Sequence, residues 1–220
     1  FSIPAILKAI FTQAGYHTGR FTSPHLIDLS ERFQVNGDPI SEEALQENIR
    51  FFKSVADNMS QCPTFFEMNT ALAFRWFEQI KVDVALIEVG MGGRLDSTNV
   101  LLPEITAITN IALEHTEHLG ETVEKIAFEK AGILKHDVPL VLGETDPRAR
   151  DVILKQAATV DCPVLALEKN FNFTLEGDAW DQYFSYTGPG LELNAVPLGL
   201  AGRYQGANAA VAVTIARTLQ

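Results

Sequence analysis

Apolar and polar positions along this chain switch between a helical and an extended period, and the switches mark out its elements. Ser2-Ile3-Pro4 opens a helix, with serine as its cap and proline in the first turn, and Gly15 can close it. Ser41-Glu42-Glu43 begins a second helix that reaches about Asp57. Residues 65–80 read as a third, with Phe66, Leu72, Ala73 and Trp76/Phe77 at helical spacing. The run Val82-Asp83-Val84-Ala85-Leu86-Ile87 is short, β-branched and apolar, and ends at Glu88 before a glycine. A strand buried on both faces of a parallel sheet reads this way. Residues 105–111 and 138–142 repeat the pattern, with a helix over 122–134 between them. Asp146-Pro147 caps a helix to about Ala158, and 163–167 is a further strand. Strands alternating with helices predict an α/β core built on a mainly parallel sheet. After about residue 170 the texture changes. Residues 171–175 and 180–186 alternate between Gly-Asp and Gly-Pro-Gly turns, predicting a small antiparallel section, and a last helix covers about 205–219.

The 220 residues suit one large domain, and 46% hydrophobic against 20% charged residues is enough to bury a sizeable core. A net charge of −11 argues against nucleic-acid or anionic-membrane partners, both of which need clustered Lys and Arg. No apolar run approaches membrane-spanning length, and the start lacks the basic region of a signal peptide. Cys62 and Cys162 stand alone, which makes neither a disulfide framework nor a zinc site. A soluble protein of the reducing cytoplasm is expected.

Ligands of open α/β sheets collect at the carboxyl ends of the strands, where three ionisable groups of this chain fall. Glu88 ends one strand, Asp96 lies in the following Gly90-Met91-Gly92-Gly93-Arg94-Leu95-Asp96-Ser97-Thr98-Asn99, and His115 follows the next strand. A carboxylate and an imidazole beside a Gly-rich loop suit a divalent cation and a phosphate. Each residue also has an ordinary reading. Glu88 could be a solvated strand end, the glycines a flexible turn, and His115 a surface histidine like His17 and His136. Thr22-Ser23-Pro24-His25 is either a set of hydroxyl ligands or a Ser-Pro turn. Lys130, near the end of its helix, either serves the helix dipole or reaches the site on its four-carbon stem. Neither Gly-x-x-x-x-Gly-Lys-Ser/Thr nor Gly-x-Ser-x-Gly occurs.

At these residues the sequence resembles the folylpolyglutamate synthase and dihydrofolate synthase group of the Mur ligase family. The resemblance is carried by Ala14-Gly15-Tyr16 through Thr22-Ser23-Pro24-His25-Leu26, by Thr64-Phe65-Phe66-Glu67, by Glu88-Val89-Gly90 through Asn99, by His115-Thr116 through Glu129-Lys130-Ala131-Gly132-Ile133, and by Tyr204-Gln205-Gly206-Ala207-Asn208-Ala209-Ala210. It implies a Mur-ligase-type central ATP-binding domain over residues 1–220, with a P-loop-NTPase-like sheet flanked by helices. It further implies Ser23, Glu88 and His115 as magnesium ligands. Lys130 would be carbamylated and, with His115, catalytic. Thr64, Phe65, Phe66, Glu67, Leu95, Asp96 and Ser97 would contact the pterin substrate, and Ser2 and Asn208 would contact ATP. Two magnesium ions would serve, with ATP, L-glutamate and dihydropteroate or folate as small-molecule substrates, in a protein acting as a monomer. In such ligases ATP phosphorylates the acceptor carboxylate and the glutamate amine displaces phosphate.

The sequence also departs from that pattern. The family's Thr-Asn-Gly-Lys-Gly would precede Phe1, which itself stands where a glycine is usual, and Glu114 replaces an aspartate. The family's C-terminal domain would follow Gln220, so residues 1–220 alone are expected to be truncated at both ends, to bind ATP poorly and to be inactive. Two rival readings are a Mur-type ligase acting on a cell-wall precursor and a nucleotide-binding module without catalysis.

Overall fold

The computed structural model describes residues 2–178 and 180–219; Phe1, with its expected departure, lies outside the described residues. The chain divides into two compact units, the first made of Ile3–Met91 with Asp96–Val100 and the second of Gly92–Leu95 with the chain from Leu101 onward.

In the first unit α1 spans Ser2–Gln13 and buries Ile3, Leu7 and Phe11, one per turn of a single face. Ser2 is the first residue of the helix and not its cap, because the helical conformation already includes it. Strand β1 (Thr18–Phe21) is followed by a 3-10 turn (Leu29–Arg32) and by β2 (Phe33–Val35) and β3 (Asp38–Pro39). This hairpin is absent from the sequence-based expectation. Its strands are too short to show alternation, but its turn is Asn36-Gly37, with φ of 53° and 104°, the pair that a two-residue hairpin connection requires. Helices α2 (Glu42–Ala56) and α3 (Phe65–Gln79) begin where Ser41 and Thr64 cap them. Strand β4 (Val84–Ile87) then pairs parallel with β1, Thr18 against Val84 and Phe21 against Ile87, completing the order β3-β2-β1-β4. Among the described residues β4 has one neighbour, β1; Ala85 is exposed and the other three residues are half-buried. The burial on both faces expected for this run is not seen among the described residues. The core of the unit is aromatic: Phe21 and Phe33 stack at 5.7 Å, backed by Leu72, Ala73, Trp76 and Phe77 of α3.

The second unit holds a three-stranded parallel sheet in the order β5-β6-β7, formed by Thr106–Ile108, Leu140–Leu142 and Val164–Ala166. Between them run the short α4 (Thr116–Leu119), then α5 (Val123–Ala131) and α6 (Pro147–Thr159). The central strand β6 has partners on both sides, and all three of its residues are fully buried. Ile126 and Ala127 of α5 and Ala149 and Ile153 of α6 are likewise sealed from water. An antiparallel sheet follows: β8 (Asn172–Gly177), β9 (Gln182–Gly188) and β10 (Leu191–Leu198), with a bulge between Leu193 and Val196. The sequence predicts its first two strands; the third, broken by the bulge, lacks a clean two-residue period. Helix α7 (Gln205–Thr218) closes the unit, with the Tyr186 hydroxyl 2.9 Å from that of Thr214. An α/β architecture of parallel sheets flanked by helices, with an antiparallel section after about residue 170, is thus borne out. Among the described residues no helix is long and apolar enough to cross a membrane.

Truncating a sealed core residue removes its transfer free energy and leaves a cavity. Leu142→Ala should therefore cost about 2–5 kcal/mol, whereas Leu26→Ala, at a position 85% exposed, should stay within about 0.5 kcal/mol. Urea denaturation checks both, and similar costs at the two positions would contradict this placement of the core.

Candidate functional site

The carboxyl end of β4 organises the first unit. Strand pairing puts Ile87 beside Phe21, and the Glu88 amide donates to the Phe21 carbonyl at 2.9 Å. The next residues of both strands therefore emerge together, and the Ser23 amide donates to Glu88 Oε2 at 3.1 Å. Arg20 of β1 is half-buried and hydrogen-bonded to Gln34 at 2.5 Å. Burial holds its guanidinium below the ordinary pKa, while the charge of Glu88 acts in the opposite direction. Ser23 and Glu88, named from separate motifs, are thus neighbours.

The loop after Glu88 is held by Asp96. One carboxylate oxygen accepts the amides of Gly90 (3.0 Å) and Met91 (2.9 Å), and the other accepts the amide (2.9 Å) and hydroxyl (2.5 Å) of Thr98. Gly90 lies under the Phe66 ring, where a Cβ would come within 2.4 Å of Phe66 Cζ. Phe66 packs inward on the core and Phe65 points outward, 60% exposed, with the Arg32 guanidinium 5.4 Å from its ring centre. Arg32 is buried and donates to His25 Nδ1 at 2.9 Å, which ties the Ser-Pro-His turn, whose Ser23–Pro24 peptide is cis, to this aromatic face. Thr64 and Glu67 form a capping box: the Thr64 amide and hydroxyl donate to the Glu67 carboxylate at 2.6 and 2.8 Å, and the Glu67 amide donates back to Thr64 at 3.2 Å. The backbone amide of Thr64, then its hydroxyl, hold the Glu67 carboxyl below its usual pKa. Ser97 begins a 3-10 turn over Ser97–Val100.

In the second unit, residues 92–95 of the same loop pack on the last turn of α5. A Cβ on Gly93 would sit 2.9 Å from the carbonyl oxygens of both Glu129 and Lys130. The Arg94 amide donates to the Glu129 carbonyl at 2.9 Å, and its guanidinium grips the Glu129 carboxylate through two nitrogens. Leu95 projects, 80% exposed. Lys130 is mostly buried, its Nζ 3.8 Å from Glu114 Oε1. His115 is exposed at the N-cap of α4 with φ of 50°, a left-handed conformation that a residue with a Cβ rarely adopts. At the start of α7, Asn208 donates to Gln205 at 2.9 Å, and Val211 would meet a Cβ on Gly143 at 2.9 Å, so this helix lies against the carboxyl end of β6. Among the described residues no three His, Cys, Asp or Glu side chains form a metal cluster.

Residues 41–216 match the Mur ligase middle domain. The chain belongs to the Mur ligase middle-domain family. Within it, the chain is 38% identical to the dihydrofolate synthase/folylpolyglutamate synthase of Bacillus subtilis, over 99% of this chain and 52% of that protein. An FPGS-AMPPCP-folate complex superposes with a TM-score of 0.92 at 33% identity, covering 98% of this chain and 54% of that one. The E. coli FolC bound to DHPP and ADP gives a TM-score of 0.88 at 31% identity, covering 98% and 50%. The chain thus spans about half the length of the relatives it matches.

Two buried charged residues next to strands escaped the sequence reading. Arg32 carries no spacing signal. Glu144 does, since it follows the apolar run 138–142 after a glycine, much as Glu88 follows 82–87. Both are buried, Glu144 to 5% and Arg32 to 7% exposure.

Two outcomes check this geometry. Gly93→Ala forces a methyl against backbone oxygens that cannot swing away, and should cost about 1–3 kcal/mol in urea unfolding; a neutral result would refute the close approach. The Glu67 pKa is depressed on folding, so its stabilisation is present above the unfolded pKa of about 4.3 and is lost as pH falls through the folded value. Wild type should therefore melt above Glu67→Gln at pH 7, with the gap closing in acid. A gap independent of pH would remove the charge from the cap.

Proposed function

We propose that the protein to which this domain belongs is an ATP-dependent ligase that adds L-glutamate to the carboxylate of dihydropteroate or a folate, through an acyl phosphate. The observation that carries this reading is the meeting of Ser23 with Glu88 at the carboxyl end of β4, beside the loop that Asp96 holds. Supporting it are a relative named as a dihydrofolate synthase/folylpolyglutamate synthase and two similar structures, an FPGS-AMPPCP-folate complex and FolC with DHPP and ADP.

The donor chemistry fits magnesium. In the first unit Ser23 and Glu88 offer oxygen ligands within one hydrogen-bonded pair; in the second, His115 offers an exposed imidazole as a magnesium ligand. When bound, the cations offset the negative charge that builds on the transferring phosphoryl group. The chain's own residues do the positioning. Glu88 holds the Ser23 amide, fixing the Ser-Pro-His turn, and Asp96 fixes the loop through the amides of Gly90 and Met91. In the first unit the exposed Phe65 ring offers apolar surface for a flat heteroaromatic acceptor, Thr64, Phe66 and Glu67 keep its frame rigid and Ser97 would contact the same substrate; in the second, the exposed Leu95 offers apolar surface of its own. Ser2 and Asn208, at the starts of α1 and α7, would contact ATP. Lys130 would serve as a carbamate. As an ammonium it is matched by Glu114 at 3.8 Å, whereas a carbamate there would place two anionic groups side by side, an arrangement that a divalent cation relieves. The free thiols Cys62 and Cys162 suit a reducing cytoplasm.

A ligation assay on the full-length protein, with ATP, L-glutamate and each acceptor in turn, tests the reading. Product with neither acceptor would overturn it. Lys130→Arg keeps the charge but cannot carry a carbamate, and should lower turnover about a hundredfold or more, the scale of losing one charge-stabilising group. Wild-type turnover in that variant would return Lys130 to its pairing with Glu114.

A further inference from the structure

Outside the residues assigned so far, the most deeply placed carboxylate among the described residues of the second unit is that of Glu144, 5% exposed and one residue beyond Gly143 at the carboxyl end of β6. Its two oxygens are divided. Oε1 accepts the amides of Thr145 and Asp146, both at 2.7 Å, and so shapes the turn in which Asp146 caps α6. Oε2 accepts the amide of Ile111, in a different loop 33 residues earlier in the chain. The Gly143 amide donates to the Ile108 carbonyl at 2.8 Å, so the two loops leave adjacent strands together and Glu144 staples them one step further out. The stapled segment leads directly to His115. From Ile111 the chain turns through Ala112, whose carbonyl accepts the Glu114 amide at 2.9 Å. It reaches His115 in its left-handed conformation, where the carbonyl of His115 accepts the amides of both His118 and Leu119 at 2.9 Å. A backbone held in a sparsely populated region persists only where its surroundings over-determine it.

We propose that Glu144 is a positioning residue: by fixing the Ile111 amide its carboxylate sets where His115 is presented to a divalent cation. This rests on the reading of His115 as a metal ligand. The residue type matters, because three amide donors converge on one side chain from two directions. A glutamine in its place has one acceptor oxygen and would turn an NH2 donor towards an amide on the other side. Groups that orient a metal ligand influence affinity from outside the coordination sphere, typically by about 10- to 100-fold.

The experiment uses the full-length protein without nucleotide and titrates it with Mn2+ alone, following free Mn2+ by electron paramagnetic resonance. Wild type, Glu144→Gln, His115→Ala and the double variant are compared, with thermal unfolding of each. Glu144→Gln should weaken Mn2+ binding about tenfold, and should add nothing in the His115→Ala background, since the carboxylate acts through that side chain. A Glu144→Gln protein that melts earlier yet binds Mn2+ like wild type would overturn the proposal. So would a loss of affinity that persists undiminished without His115. If His115→Ala alone leaves Mn2+ affinity unchanged, the ligand role of His115 fails, a result recognisable without any Glu144 variant, and the proposal falls with it. Should Glu144→Gln not fold, Glu144→Asp, which keeps the charge but shortens the reach, is read by the same criteria.

Discussion

One oxygen of Asp96 takes the amide protons of Gly90 and Met91, while the other takes the amide and hydroxyl of Thr98. Loop backbone leaving a sheet must find acceptors for its N–H groups, and in this chain carboxylates provide them repeatedly. Glu88 takes the Ser23 amide, Glu67 that of Thr64, and Glu31 those of Leu26, Ile27 and Asp28. Glu144 joins two loops in the same way. These bonds are charge-assisted and therefore stronger than neutral ones. They turn connections that would otherwise be mobile into fixed geometry at the places where ligands of α/β sheets bind. Part of the net charge of −11 accordingly fastens backbone amides.

Glycine supplies the complementary constraint. The carbonyls at the end of α5 and the ring of Phe66 can be approached closely only by backbone without a Cβ, which is why Gly93 and Gly90 stand where they do. Carboxylate and glycine together explain how a Gly-rich loop becomes a shaped surface. The same pairing recurs at β6, where Gly143 makes room for Val211 of α7 and Glu144 holds the neighbouring loop.

Several residues singled out for chemistry also have structural duties, and the two are compatible. Thr64 and Glu67 cap α3, and in doing so they fix the first turn that carries Phe65 outward and Phe66 inward. Lys130 sits in the last turn of α5, as a lysine serving the helix dipole would, yet its side chain is mostly buried and faces Glu114 instead of solvent. Such overlap is expected where a site is built on rigid elements, because the residue that shapes the surface is also the one nearest the ligand.

The sequence by itself determined the element types and most of their order. Helical and two-residue periods, helix starts such as Ser41 and Asp146, and the apolar run at 138–142 are local properties, readable without neighbours. It also placed Glu88, Asp96 and His115 after strands, since chain order alone puts them there. The tertiary structure decided what depends on residues distant in sequence. Among the described residues it left β4 with one partner and gave β6 two although their runs look alike, and burial follows the partners a strand acquires. It joined Ser23 to Glu88 across 65 residues and Glu144 to Ile111 across 33. A hydrogen bond between loops has no period and no composition; it exists only once two strands have paired and brought their ends together.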